Sequence, residues 1–155
     1  MTNNIDIVIK FKKDDPRAII PTVAYGNTSA CFDIIALEDT VIPARGFAFV
    51  ENGLKAMVPE GWFLEFADRS GNGIKKNLKV HQGIIDTGYC GPLAVKVFNL
   101  SDQDQIVEKG KGVCQVKVMK KWNYKLEEAT DEEWKEYEAK SIRGENGFGS
   151  SDNKK

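Results

Sequence analysis

At 155 residues, with 41% apolar and 29% charged side chains, the chain has the size of one domain and can bury a core without covalent staples. A net charge of -1 argues against a surface built to coat nucleic acid while leaving room for a local basic pocket, and no apolar run approaches the roughly 18 residues of a membrane span. Cys31, Cys90 and Cys114 are scattered without CxxC spacing, so neither a disulfide framework nor a zinc site is indicated. With no signal peptide read in Met1–Asn4, a reducing cytoplasm is the expected location.

Ile5, Ile7, Ile9 and Phe11 alternate with other side chains and predict an N-terminal strand, followed by a charged turn from Lys12 to Pro16. Tyr25–Ser29 reads as a loop feeding a buried strand, Ala30–Leu37, interrupted by the carboxylate of Asp33. Short strands then recur at Thr40–Ile42, Phe47–Val50, Leu54–Val58 and Trp62–Phe66, with Gly- and Pro-rich turns between them. Leu93, Val95 and Val97 alternate again, and Ile106–Val107 and Val113–Met119 give two more strands. One stretch alone predicts a helix. Thr130 and Glu133 have capping-box spacing, Asp131/Lys135 and Glu136/Lys140 are i,i+4 pairs, and Trp134 and Tyr137 share a face expected to pack on the body. The expected architecture is therefore all-β, one domain over residues 1–142, with a late short helix and a Gly-, Ser- and Asn-rich flexible arm over 143–155.

Four stretches carry chemistry. In Gly83–Pro92, two β-branched residues run into Asp86, and the glycines supply the positive φ or close approach of a tight hairpin. That would hold a rigid carboxylate beside the ring of Tyr89, as a site handling a sugar or base requires. Asp68–Gly73 combines Arg69, Ser70 and Gly71 into a nest for phosphate oxygens. Lys109–Gln115 sets the Gln115 amide, expected to be buried, in a strand after a turn. Arg143–Ser151 has no core to join but suits a lid, with Arg on phosphate and Phe on a ring.

Together with Ser29–Ile34, these stretches resemble, in order, the five motifs of the trimeric dUTP pyrophosphatases (dUTPases), over residues 20 to 151. The resemblance implies a jelly-roll-like β-barrel assembled as a homotrimer, with active sites at subunit interfaces. It implies that Asp86 activates the water attacking the α-phosphorus of dUTP. Tyr89 would lie under the deoxyribose and reject a 2′-OH. The backbone of Gly83, Ile84 and Ile85 would pair with the edge of uracil. Arg69, Ser70, Gly71 and Gln115 would hold phosphates, largely from a different subunit. Arg143 would reach the γ-phosphate and Phe148 would close over uracil, with Gly149, Ser150 and Ser151 beside them. Mg2+ would be chelated by the phosphates and touched by Asp33 through water.

The chain departs from the family pattern at Cys31, Asp68, Asn72, Val80, Pro92 and Lys111, where Gly, Pro, Leu, Asn, Glu and Asp are usual. His81, the single histidine, reads as a surface or interface residue. Two other readings share these residues. A dCTP deaminase, or a bifunctional deaminase–hydrolase, would need a glutamate base that the matching motif lacks. A nucleotide-switched regulatory protein would use the helix at 130–140 as the surface for a protein partner.

Overall fold

Eleven strands form among residues 7–146, the part of the chain that the computed structural model describes, and β-branched and aromatic residues are frequent in them. The chain divides into two compact units, Met1–Trp122 and Asn123–Lys155. In the first, β2 (Cys31–Ile35), β11 (Gly112–Lys120), β6 (Trp62–Ala67) and β8 (Ile84–Asp86) lie side by side in that order, all antiparallel. A second sheet has the order β4 (Phe47–Val50), β9 (Val95–Asn99), β7 (Leu78–Val80). Two ribbons complete the unit: β1 (Lys10–Lys13) with β5 (Leu54–Met57), and β3 (Thr40–Ile42) with β10 (Gln105–Val107).

Period-2 alternation sends one face of each strand inward, so Ile34, Leu64, Val116, Val50, Val95 and Val97 meet in a single apolar core. This is the expected all-β, jelly-roll-like architecture. Two buried amides hold the connections. Asn52 donates to the Leu93 carbonyl and accepts from Leu54 N at 3.0 Å, which locks the turn before β5 onto the segment after β8. Asn99 donates to the carbonyls of Ile42 (2.9 Å) and Gln103 (2.8 Å) and accepts from Ser101 N (2.9 Å) and Ser101 Oγ (2.7 Å). Asn99→Ala strands these buried groups together. We expect it to cost about 3 kcal/mol and lower Tm by roughly 10 °C, read by calorimetry.

Several elements differ from the sequence expectation. The N-terminal strand begins at Lys10 because its partner β5 ends at Met57, just before Pro59, and offers no backbone to Ile7 and Ile9. Those side chains instead line an apolar cavity of about 430 Å3 with Phe11, Phe32, Trp62 and Val118. The stretch after Asp68 is not a plain turn. Ser70–Lys76 is a second helix, closed by Asn77 in the left-handed region (φ 52). Two glycines make it a poor helix by propensity, and Asn72 overrides them by donating to the Gly112 and Val113 carbonyls, each at 3.1 Å. A strand at Leu78–Val80 was not foreseen either.

Gly83–Pro92 is not a paired hairpin. β8 joins the four-stranded sheet and β9 joins the other, so the chain crosses between sheets after its turn. In the second unit, the helix Asp131–Lys140 has the full capping box, and Lys140 pairs with Glu136 at 3.9 Å. Trp134 and Tyr137 share a face, with ring centroids 5.7 Å apart, but both are exposed, and the helix buries no side chain.

Candidate active site

Where the four-stranded sheet meets the short helix, a cavity of about 490 Å3 is lined by Asp33, Arg69, Ser70, Gly71 and Gln115, together with Tyr25, Ser29 and Cys31. Register explains the convergence: Gln115 in β11 stands opposite Asp33 of β2 on one side and Ala67 of β6 on the other. Arg69 and Ser70 follow directly from the end of β6. Arg69 donates to the Gly112 carbonyl at 2.8 Å and pairs with Asp33 at 3.0 Å, so its guanidinium faces the cavity from a fixed position. Gly112 leaves room for this placement, because a Cβ there would lie 2.5 Å from the guanidinium carbon and push it aside. Gln115 is half-buried rather than buried, which leaves its amide open to the cavity.

Asp68, one of the departures, has a structural task. It accepts from Val80 N at 2.6 Å and pairs with Lys79 at 2.5 Å, tying the end of β6 to the other sheet. Cys114 borders this region fully buried. Burial first, then the charge of Asp33, pushes its thiol up to about 12, so it stays a neutral packing residue. Asn72 was not singled out as a site residue. A polar side chain among Gly and Lys, five residues before a left-handed Asn, was the available signal.

Asp86 and Tyr89 lie elsewhere. Asp86 ends β8 opposite Phe63 of β6, whereas the cavity sits at the Ala67 end of that strand. Four residues of strand separate the two levels, about 13 Å at the usual rise. The Asp86 carboxylate is exposed and has no hydrogen-bond or ion-pair partner among the described residues. The Thr87 hydroxyl donates to the Val58 carbonyl (2.9 Å), and Tyr89 N donates to the Asp86 carbonyl (3.2 Å), so the turn is fixed from both sides. Gly88 takes φ +83. Tyr89 lies over Gly91, where any Cβ would collide with the phenol, and its hydroxyl donates to the Pro92 carbonyl at 3.2 Å.

Among the described residues β8 is an edge strand, laddered with β6 alone. The Gly83 carbonyl accepts from Phe66 N at 3.0 Å, so strand alternation turns the N–H and C=O of Ile84 outward. That leaves an unpaired donor and acceptor beside an exposed carboxylate and an aromatic ring. Beneath it, Glu65 pairs with Lys117 at 2.8 Å, which holds the Glu65 carboxyl below its ordinary range and keeps it committed to the sheet. Arg143, in the second unit, donates through Nε to the Asn146 carbonyl at 2.8 Å. Phe148, Gly149, Ser150 and Ser151 lie outside the described residues.

The dUTPase family model matches residues 17–152. A deoxyuridine 5'-triphosphate nucleotidohydrolase of Arabidopsis thaliana is 36% identical over 92% of this chain and 81% of its own length. The Saccharomyces cerevisiae protein of the same name is 32% identical over 99% of this chain and 100% of its own. Among solved structures, the Staphylococcus bacteriophage 80alpha dUTPase with dUPNHPP matches with a TM-score of 0.80 at 24% identity, over 92% of this chain and 97% of that one, a likeness of fold. With the family model matched over residues 17–152 and these relatives matched over at least four-fifths of both lengths, this chain belongs to the dUTPase family.

Proposed function

We propose that the protein hydrolyses dUTP to dUMP and pyrophosphate, limiting uracil in DNA and supplying dUMP. The observation that carries this reading is the convergence of Asp33, Arg69, Ser70, Gly71 and Gln115 on one cavity, each a residue expected to serve the triphosphate. Asp86 takes a proton from water, the water oxygen bonds to the α-phosphorus, and the bond from that phosphorus to the bridging oxygen breaks to release pyrophosphate. An exposed carboxylate without a competing partner suits that task. The outward N–H and C=O of Ile84, flanked by Gly83 and Ile85, meet the complementary edge of uracil, and Tyr89 excludes a ribose 2′-OH.

Asp86 cannot reach a phosphate held by Arg69 and Gln115 of its own chain across about 13 Å of strand. That separation supports a homotrimer whose sites combine β8 of one subunit with the phosphate cavity of another. Exposed Phe47, Phe49, Met57, Trp122, Tyr124 and Leu126 supply apolar surface for such an assembly. Arg143, Phe148, Gly149 and Ser150 form the lid in the arm 143–155.

No group of three or more His, Cys, Asp or Glu side chains is arranged to hold a metal among the described residues. Among the described residues a single carboxylate, Asp33, faces the phosphate cavity, and that fits Mg2+ kept mostly by phosphate oxygens and water. Bound there, magnesium would neutralise charge on the triphosphate. Three free thiols support a reducing compartment such as the cytoplasm.

Incubation with dUTP, dCTP, dTTP and UTP in magnesium, with products separated by ion exchange, tests the reading. It expects dUMP and pyrophosphate from dUTP alone. Deamination of dCTP, or turnover of UTP, would refute it. Gly112→Ala should displace the Arg69 guanidinium and raise KM for dUTP about tenfold, with the fold kept by circular dichroism. An unchanged KM would show that the Arg69 guanidinium, in the position held beside Gly112, does not serve the nucleotide.

A further inference from the structure

Tyr25, on the rim of the phosphate cavity, has a backbone that its side chain disfavours. Its φ is 53 and ψ 45, and Gly26 (φ 62) and Asn27 (φ 68) continue the left-handed path. Gly and Asn take this conformation readily, whereas a bulky aromatic there is an outlier. The turn is held nonetheless. The Tyr25 carbonyl accepts from Thr28 N at 3.3 Å and from Thr28 Oγ1 at 2.9 Å, and Val23 bridges to Phe32 of β2 just before it.

The effect is to set a phenol at the mouth of the cavity of Asp33, Arg69, Ser70 and Gln115 while leaving it 86% exposed. Among the described residues the hydroxyl has no hydrogen-bond partner and the ring no aromatic neighbour. Among the described residues Arg69 is the one cation lining that cavity, and part of its guanidinium is already committed to Asp33 and to the Gly112 carbonyl. A polyphosphate entering there meets more anionic oxygens than Arg69, Ser70 and Gln115 can satisfy. Strain stored at a ligand site points from the outlier to a role.

We propose that Tyr25 is a further substrate-binding residue, its hydroxyl donating a hydrogen bond to the terminal phosphates of the nucleotide. This rests on the phosphate-cavity reading of the proposed function. Tyr25 is assigned to the pyrophosphate portion, the part released as product, which carries most of the anionic oxygens, rather than to the α-phosphate that remains on dUMP. Tyr25 therefore contributes to affinity for triphosphate over monophosphate and leaves the chemical step to Asp86.

Calorimetric titration of the full-length protein with inorganic pyrophosphate and, separately, with dUMP, both in magnesium, tests this. Tyr25→Phe should weaken pyrophosphate binding about tenfold, the size of one hydrogen bond to a charged group, and leave dUMP affinity within about twofold. Tyr25→Gly should lose the same affinity while Tm holds or rises, because glycine accepts the left-handed backbone without strain. Pyrophosphate affinity unchanged in Tyr25→Phe overturns the proposal, as does an equal loss for dUMP or a wild-type protein that binds no pyrophosphate. Wild-type protein that binds pyrophosphate but does not hydrolyse dUTP would sink the enzymatic reading alone, with the comparison between Tyr25 variants still decisive.

Discussion

Asp86→Asn is expected to lower kcat for dUTP by about a thousandfold and to change dUTP affinity by no more than about threefold. The amide is nearly isosteric, so β8 should keep its ladder with β6 and the turn should keep the Thr87 and Tyr89 hydrogen bonds. What is lost is an acceptor for the water proton. The carboxylate makes no structural bond among the described residues, which sets it apart from Asp68 and Asp33, whose oxygens are tied to Lys79 and Arg69. Single-turnover kinetics alongside equilibrium binding of dUTP separate the two quantities. A variant that turns over at the wild-type rate would remove Asp86 from the reaction.

Deleting residues 143–155 should cut kcat/KM for dUTP by about a hundredfold or more and leave the oligomeric state unchanged. The segment removed carries Arg143, Phe148, Gly149 and Ser150, assigned to closing the site. None of the strands of the described residues falls within it. Gel filtration with light scattering reads assembly, and steady-state kinetics reads closure. Full activity in the truncated protein would contradict the lid. Loss of the oligomer would give the arm a structural role instead.

Strands were legible where side-chain alternation and turn residues agreed. Cys31–Ile35, Thr40–Ile42, Phe47–Val50, Trp62–Ala67 and Gly112–Lys120 all fall within a residue or two of expectation. The helix Asp131–Lys140 was legible from its cap alone, because a Thr and a Glu three residues apart satisfy each other's backbone locally. The misses have a common physical cause. Ser70–Lys76 is helical through the bonds of Asn72 to a strand forty residues away, which no local propensity encodes. Likewise, β1 starts late because its partner is short, and Gly83–Pro92 crosses between sheets because β8 finds β6 rather than β9.

At the site, Asp33, Arg69, Ser70, Gly71 and Gln115, which the order of the motifs singles out, line one cavity in the structure. That order showed neither that the Arg69 guanidinium lies against bare Gly112 nor that Tyr25 stands at the rim. Both facts depend on long-range packing. The distance between Asp86 and that set is also a product of register, and it is what makes a second subunit necessary to the account.

The claim that one site is built from two chains is tested most directly by complementation between Arg69→Ala and Asp86→Asn. Each variant alone should be nearly inactive. Mixed in equal amounts under conditions that exchange subunits, they should recover about a quarter of wild-type activity, since random assembly reunites an intact Asp86 with an intact Arg69 in that share of interfaces. Mixtures no more active than the separate variants would contradict the account, because they would place Asp86 and Arg69 in one site on one chain.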